Sequence, residues 1–130
     1  MQVAIPFWRG GSAATSGLTA YVSAQNADGY AFYDGSPPAP IIYTDEITVT
    51  AYNGTAPYTY QWTEVDNSSE GYTYPSGIDI ANPTSASTRF REQDATGAYS
   101  KIGFFKCTVT DAAAATADTA WVEVLIEQTT

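Results

Sequence analysis

The side chains that could do chemistry in this 130-residue chain are few, and they are mostly carboxylates. They gather at Asp45/Glu46, at Glu64/Asp66/Glu70 and at Glu92/Asp94. Two carboxylates at the right separation can cleave a glycoside, one as acid and the other as base or nucleophile. The same oxygen donors, with Asn67 between them, suit calcium. Neither pattern is complete. No spacing demands a catalytic pair, and Asp66-Asn67-Ser68-Ser69-Glu70 lacks the Asp-x-Asp-x-Asp-Gly order of a dedicated calcium loop. The reading is therefore solvated, acidic loops. Cys107 is the one thiol, and the chain contains no histidine to activate it. Its neighbours Phe105 and Val109 place it in a core instead. The sequence thus predicts no enzyme, no cofactor and no metal site.

Charge and composition narrow the partners. Five basic against fourteen acidic residues give a net charge of −9. Five scattered cations make no basic face, so nucleic acid is not an expected partner. No stretch approaches the roughly 18 apolar residues of a membrane span, so no membrane partner is expected. Met1 to Arg9 lacks a basic region followed by a long apolar run. The expectation is a chain made and kept in a reducing compartment, or released by lysis. One cysteine cannot close an internal disulfide, which agrees with that.

The elements that must position these groups read as strands. Aromatic residues make up 14% of the chain, and Thr, Tyr, Val and Ile prefer a pleated surface. Ten glycines and seven prolines punctuate it. Residues 1–40 are predicted to form an N-terminal arm, a hairpin and a Pro-rich linker. In the arm, Phe7 and Trp8 precede a Gly/Ser-rich connector and are candidates to dock in a neighbour. The hairpin is expected over Leu18 to Tyr33, with its turn at Asn26-Ala27-Asp28-Gly29. Ser36-Pro37-Pro38-Ala39-Pro40 closes the segment as a stiff linker.

Residues 41–130 read as one β-sandwich. Ile47, Val49 and Ala51 alternate on one face; so do Tyr58, Tyr60 and Trp62, and Gly103, Phe105, Cys107 and Val109. Val122, Val124 and Ile126 alternate against Trp121, Glu123, Leu125 and Glu127 in the last strand. Glu64 to Gly77 is a long polar loop, and Ala112 to Ala115 is a loop of small residues. Trp62, Phe105, Cys107 and Val109 form the core signature. Exposed aromatics can bind sugar or protein. Tyr72-Thr73-Tyr74 is the best such patch, with Tyr21 and Tyr30 in the hairpin as further candidates.

A strand ending in Tyr60-Gln61-Trp62, followed after a polar middle by Gly103 to Asp111, resembles immunoglobulin-like domains. Trp62 resembles the tryptophan of their strand C, and Phe105-x-Cys107 the Tyr-x-Cys of strand F. Val109-Thr110-Asp111 with Thr59 to Trp62 also resembles the PKD branch and bacterial and phage Ig-like modules. The resemblance covers about residues 41–127. It implies an all-β fold: an antiparallel Ig-like β-sandwich with an N-terminal extended arm and β-hairpin. It implies a disulfide partner near Val49 or Ala51, where there is no cysteine, so Cys107 is expected to be free. Phe105 replaces the tyrosine of the tyrosine corner.

By the same resemblance the expected function is structural. It is that of a phage virion protein assembled in the host cytoplasm, an Ig-like capsid decoration protein anchored through its N-terminal arm. Its expected partners are other virion proteins, capsid or tail subunits, further copies of itself, and weakly held host-surface glycans. The alternative is a carbohydrate-binding or adhesion module of a tail, fibre or cell surface.

Overall fold

The structure is a computed structural model and describes residues 17–93 and 97–130. Phe7, Trp8 and Asp94 lie outside the described residues, and with them the expected arm. The described chain is almost entirely strand and turn, with one short 3-10 helix at Ser68–Glu70. Among its residues no helix is long and apolar enough to cross a membrane.

The fold is an antiparallel Ig-like sandwich with one parallel pair. In chain order the strands are β1 (Thr19–Val22), β2 (Asn26–Phe32), β3 (Ile42–Tyr43), β4 (Ile47–Tyr52), β5 (Thr59–Val65) and β6 (Asp79–Ile80). They continue as β7 (Ser87–Thr88), β8 (Phe90–Glu92), β9 (Tyr99–Thr110), β10 (Thr116–Asp118) and β11 (Val122–Thr129). One layer pairs β1–β4–β7 and β3–β8–β6. Its two halves are continuous, since β3 and β4 belong to one run of chain and β7 and β8 to another. The other layer has β9 at its centre, β5 on one side, and β10 and β11 on the other, with β2 beyond β11. The two layers therefore pack face to face as an all-β sandwich.

Alternation on the longest strands builds the core. Gly103, Phe105, Cys107 and Val109 of β9 are buried, as are Val122, Val124 and Ile126 of β11. Opposite them lie Ile42, Ile47, Val49 and Phe90. Trp62 meets Phe90 edge-on at 5.7 Å between ring centroids, and Phe90 meets Phe105 at 4.6 Å. The indole N–H of Trp62 donates to the Ser85 carbonyl at 2.9 Å, so its one polar atom is satisfied inside the core.

The hairpin expected over Leu18 to Tyr33 is not formed. β1 pairs antiparallel with β4 in one layer, and β2 pairs parallel with β11 in the other. The chain changes layers at Ser23 to Gln25. Asn26-Ala27-Asp28-Gly29 lies in strand β2 and makes no turn. Gly29 is required there by close approach: a Cβ would sit 3.0 Å from the Tyr43 carbonyl oxygen. Small Ala27 lies on the same buried face. These residues suit a turn by type, and here they serve an edge strand that presses on β3.

Both layers contain the same joint. The β9 pairing slips by one residue between Thr108↔Asp118 and Phe105↔Val122. The pairing of the opposite layer slips likewise between Ile47↔Thr88 and Tyr43↔Arg91. Each is a β-bulge with a buried threonine in it. The Cys107 N–H donates to Thr119 Oγ1 at 3.0 Å, and the Phe90 N–H donates to Thr44 Oγ1 at 3.0 Å. Each hydroxyl in turn donates to the carbonyl of the next residue.

Asp111 fixes the loop of small residues. Its carboxylate accepts backbone N–H bonds from Thr55, Ala113 and Ala115, each at 2.9 Å. The run closes as a turn without helix, with Ala114 at φ 68°. These bonds, Thr55's first, hold the Asp111 carboxyl below its ordinary range. The folded-state value is depressed, so the contribution to stability is complete above the ordinary carboxylate pKa of about 3.9 and is lost as pH falls through the lower folded value. Chemical denaturation of wild type and Asp111→Asn should show a stability gap that is constant above about pH 5 and closes below about pH 4. A gap independent of pH down to about 2 would assign the effect to shape alone.

Candidate interaction surface

The outward face of β9 carries a cluster of half-buried rings with one exposed ring beside them. Phe104 alternates with buried Phe105 and so points away from the core. In register it lies between Val65 of β5 and Glu123 of β11, and Ile102 lies beside Leu125. Tyr72 packs edge-on against Phe104 at 4.7 Å and 74°. Trp121 reaches the same ring at 6.2 Å and remains 47% exposed.

Local features bring the three rings together. Trp121 follows the Thr119 bulge, which sets its parity with the outward residues Glu123 and Leu125. Tyr72 arrives on the loop after β5. Glu64 Oε2 accepts the Ser76 N–H at 3.0 Å and anchors that loop. Gly103 leaves room for it, since a Cβ there would meet Ser76 Oγ at 2.7 Å. Between the loop and β9 runs a groove of about 390 Å³, lined by Tyr72, Thr73, Ser76, Ser100, Lys101 and Ile102.

The aromatic residues singled out in the sequence do not converge. Tyr72 belongs to the Phe104 cluster, whereas Tyr74 stands 44% exposed in the loop. Tyr21 pairs edge-on with Tyr52 at 5.6 Å on the outside of the other layer. Tyr30 projects from β2, 64% exposed, and shares a hydrogen bond with Thr129. Sequence reading missed Phe104. Its signal was the strand alternation itself, which turns one of two adjacent phenylalanines outward.

Of the carboxylates, Glu64 departs from the expected solvated loop by lying half-buried at the end of β5, and Glu92 departs further. It lies on β8, 6% exposed, and accepts a hydrogen bond from Lys101 Nζ. Lys101 also lies over the Tyr99 ring, 5.5 Å from its centroid. Burial, with the Glu92 charge adding to it, pushes the Tyr99 phenol up to about 12. Asp66 accepts from the Ser68 hydroxyl and the Ser68 N–H, which hold it below its ordinary range. Among the described residues no three carboxylate or thiol groups converge on a metal position.

Trp62, Phe105, Cys107 and Val109 are all within the core. Cys107 is a free thiol. Burial pushes it up to about 11, with the Asp118 charge adding to the rise. The thiolate is the reactive form. A thiol reagent at neutral pH should label the native protein at least about 100-fold more slowly than the denatured chain. Equal rates would place Cys107 at the surface.

No family model matches the chain, and no curated protein matches it. Among solved structures it is similar to a nucleoside hydrolase-related hypothetical protein from Saccharophagus degradans that is associated with carbohydrate metabolism. The identity is 19% and the TM-score 0.46. The match covers 80% of this chain and 22% of that one, so this chain spans under a quarter of the protein it resembles.

Proposed function

We propose that the protein is a non-catalytic structural module of a tailed-phage particle, an Ig-like decoration protein that docks on a capsid or tail subunit. The observation that carries the docking role is the ring cluster Tyr72–Phe104–Trp121 on the outer face of β9. Aromatic side chains supply large contact area at low entropic cost and dominate protein interfaces. A sheet face bearing three of them, rimmed by Glu123, Lys106 and Asp118, has an apolar centre and a polar rim. A reduced, buried Cys107 at the strand-F position supports assembly in a reducing compartment.

The test has two arms. Mass spectrometry of purified particles should find the chain at stoichiometric amounts. Particles without it would refute the virion placement. Rebinding of the purified chain to particles stripped of it should weaken roughly tenfold or more in a Phe104→Ser/Trp121→Ser variant that keeps its fold. Unchanged binding would remove the cluster from the interface. The alternative reading is a carbohydrate-binding or adhesion module, favoured by the polar groove beside Tyr72. Saturable glycan binding that disappears in a Tyr72→Ala/Tyr74→Ala variant would support it.

A further inference from the structure

We infer that the open edge of β2 pairs with the same edge of a second copy of this chain. The two strands would run antiparallel about a two-fold axis at Gly29. This goes beyond the proposed function and does not rest on the Phe104 cluster.

The argument starts with where the backbone groups of β2 point. In the parallel ladder with β11, the Glu123 N–H donates to Gln25 O at 2.8 Å and the Tyr33 N–H to Thr129 O at 2.9 Å. Those two bonds fix the parity between them. Ala27, Gly29 and Ala31 turn their N–H and C=O groups toward β11. Asn26, Asp28, Tyr30 and Phe32 turn theirs to the opposite edge. There, among the described residues, their backbone groups have no partner. Strand β5, on the other side of this layer, is different: its Trp62 N–H is taken by the Pro83 carbonyl at 2.7 Å.

An edge strand of seven residues with free donors and acceptors is a template for another strand. The order of residues identifies the occupant. In an antiparallel pair, each residue of a hydrogen-bonded couple both donates to and accepts from its opposite. A two-fold at Gly29 sets Asp28 opposite Tyr30 and Asn26 opposite Phe32. All four residues have outward backbone groups, so every free donor meets a free acceptor. No charge faces a like charge. Gly29 meets Gly29 in the close, non-hydrogen-bonded position. The exposed ring of Phe32, 63% accessible, covers the partner's Asn26, while Tyr30 stays over β11 through its bond to Thr129. The segment is thus complementary to itself.

Sedimentation equilibrium of the full chain from about 1 µM to 1 mM tests the pairing. A monomer–dimer equilibrium is expected, strengthened by salt because each copy carries a charge of −9. Tyr30→Pro removes one outward N–H per copy and leaves the β11 ladder intact. It should weaken the dimer roughly tenfold or more, with thermal stability of the monomer retained. A chain that stays monomeric throughout overturns the proposal, as does a dimer indifferent to Tyr30→Pro. If that variant fails to fold, amide exchange of the wild type decides. Slowing of the Asp28 and Tyr30 amides only at dimer concentrations supports the pairing. Rates independent of concentration overturn it.

Discussion

Trp62→Ala should cost about 3–5 kcal/mol of stability, close to the whole reserve of a small domain. In thermal melts this is a drop of roughly 10–20 °C. Trp62 is buried against Phe90, and its indole N–H has the Ser85 carbonyl as its partner. Truncation leaves a cavity between the layers and takes the donor from Ser85. Trp62→Phe should recover part of the packing and none of the hydrogen bond. Trp121→Ala is the internal control. That ring is 47% exposed, and its removal should cost less than about 1 kcal/mol. Comparable losses at the two positions would mean that the core is not centred on Trp62.

The second large effect is at the edge of the same core. Lys101→Met should destabilise by about 2–3 kcal/mol, because it takes the ammonium from the carboxylate of buried Glu92. Lys101 is itself one-third exposed, so water moderates the loss. The double variant Glu92→Gln/Lys101→Met removes the charge as well as its partner. It should be more stable than Lys101→Met alone, a non-additivity readable from urea midpoints. Additive losses would show that the pair is not coupled.

These two sites show how much was legible in the sequence. Trp62, Phe105, Cys107 and Val109 announced themselves by alternation, since a two-residue period on a long strand leaves one face for the core. The fold class followed from the same rhythm. Glu92 was misjudged for a physical reason. An acidic residue beside Gln93 and Asp94 looks solvated, and the lysine that offsets its burial comes from the next strand. The expected hairpin failed for a related reason. Asn-Ala-Asp-Gly has turn chemistry, yet the partner of β2 is the last strand of the chain. Local composition cannot report a pairing that spans nearly the whole sequence. Phe104 was left unassigned, because alternation put only its neighbour Phe105 on the core face, and its partners Tyr72 and Trp121 come from distant segments.

The threonine joint at Thr119 is where this fold can absorb the loss of a residue without turning its core outward. Before it, odd-numbered Ala117 faces inward; after it, even-numbered Val122, Val124 and Ile126 do. Loss of one residue between Asp118 and Val122 would close the bulge into a regular ladder with Val122 still opposite Phe105, so Val122, Val124 and Ile126 would keep their inward face. Insertions in the alanine loop a few residues earlier change no parity. A one-residue loss within β11, past Val122, has no bulge to absorb it and would turn the side chains beyond it to the opposite face.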